Sequence, residues 1–280
     1  MDFWNAVFVN PILNGIVWLS GVLGGNLGLS IIAATVLVNF ILLPLTIRQI
    51  RSSLQFQEMQ QKLAPKIKKL QKKYGQDRRK LQEEIAKLYR EHGVNPTSGC
   101  LGSLLPLLIQ FPIWIALYRS IFYVLAPTPE SLIALSYHLY HLPSLFSLLP
   151  LESKFLWFDL GSPDIPLLLL VMGATWGLQK ISTVKALDPQ QRSTQRLMEI
   201  ITPLFIGLIC LYIPSALALY ILVVDIFRMV VQYLVMRGER AKAALLGRAP
   251  SLRAPAVLKA KINPVGEKSH GGDEEHRGQR

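Results

Sequence analysis

The chain has 280 residues, 51% of them hydrophobic, yet its formal net charge is +12. That pairing excludes an average soluble domain, because apolar runs of about 16–23 residues alternate with segments holding nearly all the charge. A hydrocarbon core of ~30 Å takes ~20 helical residues to cross, so the runs are candidate membrane spans.

Residues 1–26 begin with Asp2 instead of a basic segment and contain no Lys or Arg, which argues against a secretory signal. Asn5, Asn10, Pro11 and Asn14 interrupt the apolar run. The reading is an amphipathic helix laid on the membrane surface, with a sixth span as the alternative. A first span covers about 27–47. Residues 48–95 are charged, and within them Leu63, Ile67, Leu70 and Tyr74, then Leu81, Ile85 and Leu88, recur at helical spacing. Gly75 in "YGQD" breaks the pattern and suits a C-cap, giving an antiparallel helical hairpin. Lys66, Lys69, Lys72, Lys73, Arg78 and Arg79 provide a basic face for solvent, anionic lipid headgroups or a polyanion.

A second span covers about 103–125, and 126–154 is a Pro-, Ser-, Tyr- and His-rich loop with short helical pieces. A third covers about 163–181 and is followed by a polar loop to about 198. A fourth, about 199–213, and a fifth, about 216–236, meet at a tight turn at Pro214. At ~1.5 Å per residue the fourth falls short of ~30 Å, which favours local bilayer thinning. Residues 237–280 are Ala/Pro/Gly-rich and basic and read as a disordered tail. Of the 30 Lys and Arg, 13 lie in 48–95, four in 180–198 and ten in 237–280, and none precedes Arg48. Positive charge marks cytoplasmic segments. The expectation is an all-α polytopic membrane protein with a five-helix core, its N-terminus outside and its C-terminus cytoplasmic.

Polar groups within spans are costly unless they face protein or water. Thr35, Asn39 and Thr46 share a face of the first span, with Pro44 allowing a kink. Gln110 lies on a stripe with Trp114 and Tyr118, the third span carries Thr175 and Gln179, and the fifth carries Asp225, Arg228 and Gln232 at i, i+3 and i+7. Asn39 and Arg228 each stand nine residues before a cytoplasmic arginine, roughly 13 Å in at ~1.5 Å per residue. The outer halves are apolar except for Arg119, whose long stem can snorkel. The pattern points to a polar cavity open to the cytoplasm and closed outward. The plainer alternative is a set of interhelical hydrogen bonds worth ~0.6 kcal/mol each.

Catalytic features are missing from the sequence. No GxxxxGK loop occurs, and the two cysteines, Cys100 and Cys210, stand without metal-ligand or disulfide spacing. His92, His138, His141, His270 and His276 fall in loops or the tail. No catalytic residue, metal or cofactor is expected, and no small-molecule substrate.

The combined motifs resemble a known family. "NPTSGCLGSLLPLLIQFPIWIALY" resembles the opening of the second core span of the YidC membrane insertases. "LLPLTIRQIRSSLQFQEMQQKLAPKIKKLQKKYGQD" is similar to their span-one exit and coiled-coil hairpin. "FLWFDLGSPD" and "PSALALYILVVDIFRMVVQY" are similar to the start of their third and last spans. The likeness covers about 27–236 and is to the short form, without a large periplasmic domain. It implies insertion and folding of nascent membrane proteins in a bacterial plasma membrane, without nucleotide, through a hydrophilic groove. It also implies the ribosome and the Sec translocon as possible partners beside anionic lipids. The family usually keeps an arginine five residues before the span-one proline, where this chain has Asn39, and an uncharged last span, where this chain has Asp225 and Arg228. A small channel or transporter, and a passive membrane tether for ribosomes, are the rival readings.

Overall fold

The computed structural model describes residues 3–75, 77–92, 96–125, 135, 138–140, 153–182 and 189–245, with only the backbone considered at 78, 96–109, 189–192, 243 and 244. Its apolar runs are helical, because a backbone in lipid must satisfy its own N–H and C=O groups. A π-helical turn, Asn5–Val9, leads into α1, Asn10–Val22, with Pro11 in the first turn where no N–H is needed. Gly24 and Gly25, at φ +72° and +83°, supply the turn that follows. Asn26 then caps α2, Leu27–Ile41, accepting from the Leu29 N–H at 3.0 Å.

After Ile41 the chain bends by 62° and continues as α3, Leu43–Tyr74. Pro44 brings no N–H to this junction, and the ladder restarts with the Thr46 N–H on the Leu42 carbonyl at 2.9 Å. The bend places Thr46 in α3, while Thr35 and Asn39 stay in α2.

Asp77 caps α4, Arg78–Glu91, by accepting from the Lys80 N–H at 3.1 Å. The α3–α4 hairpin closes through the Phe56–Tyr89 stack at 6.1 Å, buried Leu63, and Lys66 Nζ 3.0 Å from His92 Nε2. Gly75 sits between the helices at φ −58°, an ordinary right-handed value. Its need for glycine is steric, since a Cβ there would lie 2.7 Å from the Gln71 carbonyl oxygen.

α5 spans Pro96–Leu125. Two short antiparallel strands, β1 (Lys154–Phe155) and β2 (Phe158–Asp159), precede α6, Ile165–Ser182. Asp164 caps α6 through the Leu167 N–H at 2.8 Å. Next come α7, Pro189–Cys210, and α8, Ser215–Leu245. α8 is the hub and packs on α6, α2 and α3, while α6 also packs on α7 and α1 on α2 and α5. Leu27, Ile31, Leu117, Ile121, Leu167, Val171, Leu217 and Val224 form the core with Phe155 and Phe158. Small residues allow close approach, as at Gly207, where a Cβ would meet Met172 Sδ at 2.5 Å.

Among the described residues, Asn5–Val22, Ile165–Ser182 and Ser215–Lys242 are long and apolar enough to cross a membrane, and the bent α2–α3 pair makes a fourth if counted as one span. An apolar helix of membrane-crossing length thus stands where the sequence reading laid a surface helix. The polar stretch before 199, read as loop, is helical from Pro189, and α7 ends at Cys210, not 213. α8 runs on to Leu245, so residues 237–245 of the expected disordered tail are helix. The expected loop pieces at 126–134 and 141–152, and the tail beyond 245, lie outside the described residues.

Candidate functional site

The chemistry within the spans gathers on α8, whose register places Tyr220, Asp225, Arg228 and Gln232 toward neighbouring helices. Arg228, half-buried, donates from Nη2 to Gln110 Oε1 at 2.8 Å, and Gln110 Nε2 donates to the Tyr220 hydroxyl. Helical side chains lean toward the N-terminus of their own helix. Arg228 therefore reaches along α8 toward Tyr220, eight residues and ~12 Å earlier at ~1.5 Å per residue. Gln110 is the bridge, using its carbonyl for the cation and its amide N–H for the phenol. Among the described residues Arg228 makes no ion pair within 4 Å, so its charge meets an amide and remains uncompensated at contact range.

Asp225, one turn before Arg228, turns to α6 instead. It is buried and accepts from Thr175 Oγ at 2.5 Å, and Thr175 is buried too. Gln232 is buried further along α8. Asp225 and Arg228 thus hydrogen-bond to separate partners on α6 and α5, while Arg228 still attracts Asp225 through space along the helix. Gln179, half-buried on α6, is engaged in contacts of its own.

Asn39 is half-buried, and its Nδ2 donates back to the Thr35 carbonyl at 2.8 Å. Buried Thr35 does the same to Ile31 at 2.6 Å. Both are satisfied within α2 and reach no other helix through these bonds. The T-shaped Phe40–Phe227 pair, with centroids 5.3 Å apart, nevertheless sets Asn39 and Arg228 at one level of the α2–α8 contact.

Along α5 the expected Gln110–Trp114–Tyr118 stripe extends into an aromatic ladder. Phe111, Trp114, Tyr118 and Phe122 stack in succession at 6.3–6.5 Å, with Phe111, Tyr118 and Phe122 exposed. Arg119 beside it donates to Asn5 Oδ1 at 3.3 Å, so the π-helical turn, and not headgroups alone, receives the guanidinium. A second polar cluster ties α1 to residues 138–140. Asn14 Nδ2 donates to the carbonyls of Asn10 at 2.7 Å and His138 at 3.0 Å, and Asn14 Oδ1 accepts from the Tyr140 N–H at 2.7 Å. His138 Nδ1 lies 2.9 Å from Asn10 Oδ1, and its ring stacks on Tyr123. Burial, with Arg119 adding repulsion, pushes His138 below the ordinary imidazole value.

On the hairpin, Lys66, Lys69, Lys72, Lys73 and Arg79 are exposed, and the Arg78 side chain lies outside the described residues. Lys180 pairs with Glu199 at 2.6 Å, joining α6 to α7. No group of three or more His, Cys, Asp or Glu residues able to hold a metal occurs among the described residues. Tyr220 is the participant that sequence reasoning missed, since a tyrosine within a span reads as aromatic filling. Its signal was its place about two turns before Arg228.

The family model described as 60Kd inner membrane protein matches residues 18–242. The chain is 35% identical over 247 residues to a membrane protein insertase YidC of Oceanobacillus iheyensis, covering 85% of this chain and 86% of that protein. It is 34% identical over 246 residues to the membrane protein insertase MisCA of Bacillus subtilis, covering 86% of this chain and 81% of the relative. A YidC insertase of Anaeromyxobacter dehalogenans is 34% identical over 239 residues, which make up 84% of this chain but 37% of that longer protein.

Proposed function

This chain belongs to the 60Kd inner membrane protein family of YidC insertases, and we propose that it inserts its clients along a polar groove walled by α2, α5, α6 and α8. It is an all-α, multi-pass bacterial membrane protein that acts as an insertase, and its clients are nascent membrane proteins. In the proposed mechanism α2, α5, α6, α7 and α8 are the five spans, and the groove opens to the cytoplasm and to lipid. Asn39, Thr35, Gln110, Gln179, Asp225, Arg228 and Gln232 line it.

A client span gains by burying apolar surface, while its polar flanks resist at ~2.5–3.5 kcal/mol for an Asp or Lys at mid-bilayer. A groove with fixed polar groups replaces part of that hydrocarbon path, and no nucleotide is consumed. The exposed aromatic ladder of α5 offers the client's apolar segment a flank beside Gln110. The exposed lysines of the α3–α4 hairpin suit capture of anionic lipid, ribosomal RNA or a translocon partner.

The observation that carries the reading is Arg228, a cation with no ion pair within 4 Å among the described residues, held on Gln110 at the level of Asn39. We read it as standing in for the arginine that the family places at the Asn39 position. Purified protein in liposomes, given a short two-span client and scored by protease protection, tests this. Loss with Asn39→Ala but not with Arg228→Ala, for an acidic client, overturns the relocation. Solute flux through the vesicles without client insertion would favour a channel.

A further inference from the structure

Most exposed apolar side chains here lie on the outer faces of helices. Leu156 and Trp157 do not. They form the two-residue tip between β1 and β2 and are 76% and 59% exposed. Leu156 has φ +53° and is the one non-glycine residue with positive φ among those described. The first central position of a two-residue hairpin turn at positive φ is ordinarily glycine's. A leucine there strains the backbone while its side chain gains little packing from the protein.

Such strain persists only where the surroundings enforce it, and here they do. The Phe155 ring fills the space over Gly28 at the start of α2 and meets Phe158 edge-on at 5.7 Å. The Leu160 N–H bonds Ser153 O at 2.8 Å, and the Ala216 N–H at the start of α8 bonds Leu160 O at 3.0 Å. Asp164, the cap of α6, also accepts a long 3.4 Å contact from Trp157 Nε1. The tip is therefore fixed to the first turns of α2, α6 and α8 together. α2 continues into the charged α3–α4 hairpin at its other end, so the tip lies at the opposite face of the apolar slab.

The geometry points to the Leu156–Trp157 tip as an anchor that inserts into the interface of the lipid leaflet opposite the charged hairpin. Trp, with an apolar ring and one N–H, favours the headgroup level, and Leu favours the acyl boundary just beneath. The lipid-facing surface is continuous with the tip, since Ile165 at the start of α6 is itself 66% exposed. The anchor fixes the height of three span ends relative to the lipid. This inference rests on the membrane assignment and is independent of the groove.

The test places a nitroxide at Leu156→Cys in the full chain carrying Cys100→Ser and Cys210→Ala. The protein is reconstituted in phosphatidylethanolamine–phosphatidylglycerol vesicles, and collisions with oxygen and with a water-soluble nickel chelate are compared. A label at Lys87→Cys, on the exposed face of α4, is the aqueous reference. Oxygen collisions should dominate at 156 and nickel collisions at 87. An aqueous ratio at 156 overturns the inference, and so does suppression of both collisions, which would mean that protein covers the tip. Trp157→Cys repeats the measurement at a second position and must agree. Client insertion in the same vesicles certifies the fold. Insertion that survives the groove substitutions, with lipid contact at 156 retained, would count against the groove alone.

Discussion

Removing the charge of Arg228 while leaving the fold standing separates an electrostatic groove from a hydrogen-bonded helix contact. Arg228→Ala deletes the 2.8 Å bond to Gln110, and a hydrogen bond involving a charged group is worth ~1.5–3 kcal/mol. That loss applies whatever the client. The client-dependent part is Coulombic. For a carboxylate passing about 6 Å from the guanidinium, the attraction is ~0.7 kcal/mol at the dielectric of water and ~2.8 kcal/mol at an effective dielectric of about 20. Those values correspond to roughly threefold and roughly hundredfold in rate. The assay is the protease-protection time course with two clients that differ only by Asp or Asn in the translocated segment. Arg228→Ala should slow the Asp client by a factor in that range relative to the Asn client, and Arg228→Lys should retain most of the difference. Because Phe40 and Phe227 set positions 39 and 228 at one level, Asn39→Arg should restore the preference in the Arg228→Ala background. Equal slowing of both clients, with no rescue by Asn39→Arg, would refute the reasoning and leave Arg228 a structural residue.

Four further outcomes are expected. Gly28→Ala puts a Cβ 2.3 Å from Phe155 Cγ, and overpacking of that kind costs ~1–3 kcal/mol; the Tm in detergent should fall, and Phe155→Leu should recover part of it. Thr175→Val strips Asp225 of its 2.5 Å donor at a cost of ~1–3 kcal/mol, whereas Asp225→Asn keeps an acceptor for Thr175 and should be milder in the same melt. His138 is held below its ordinary value, so its contribution to stability is full above about pH 6.5 and is lost as pH falls through the folded value; hydrogen-exchange protection in residues 5–22, corrected for the intrinsic amide rate at each pH, should therefore fall in acid, and His138→Gln should flatten that dependence. Changing Lys66, Lys69, Lys72, Lys73 and Arg79 to Gln should weaken co-sedimentation with anionic vesicles and ribosomes, and the wild-type binding should fade as salt shortens the Debye length from ~8 Å at 0.15 M to ~3 Å at 1 M.

What the sequence made legible was set by range. α6 was readable to within two residues at its start and one at its end, because its apolar run is flanked by Asp164 and Lys180. The kink at Pro44 was readable as a kink, but its 62° was not, since the angle depends on how α3 packs on α8 and α5. Gln110 and Arg228 each stood out as polar in an apolar run. Their pairing across 118 positions did not, because periodicity speaks only within one helix. The first half of α7 was missed because "PQQRSTQR" is polar, although Asp188 followed by Pro189 was a usable start signal. The β1–β2 hairpin was missed because two-residue strands show no alternation and its turn lacks the glycine or asparagine that announces one.

On the proposed orientation the helix lengths and the polar chain bear on the same barrier. α2 has 15 residues, ~22 Å at ~1.5 Å each, and the apolar end of α7 runs only from Ile200 to Cys210, ~17 Å, so both fall short of a ~30 Å hydrocarbon core. A short helix is matched by thinning the bilayer around it. Measured along α8 from Ser215, the Cα of Tyr220 lies ~8 Å in and that of Arg228 ~20 Å in. The Arg228–Gln110–Tyr220 chain therefore covers the middle of the slab. For a client's polar flank it leaves bare hydrocarbon mainly in the last ~8 Å, where thinning acts as well. The transfer penalty of a charge falls steeply away from the bilayer centre, so removing the central portion of the path removes most of the barrier. On the proposed mechanism, the client's own apolar burial is then the driving force set against what remains of the barrier.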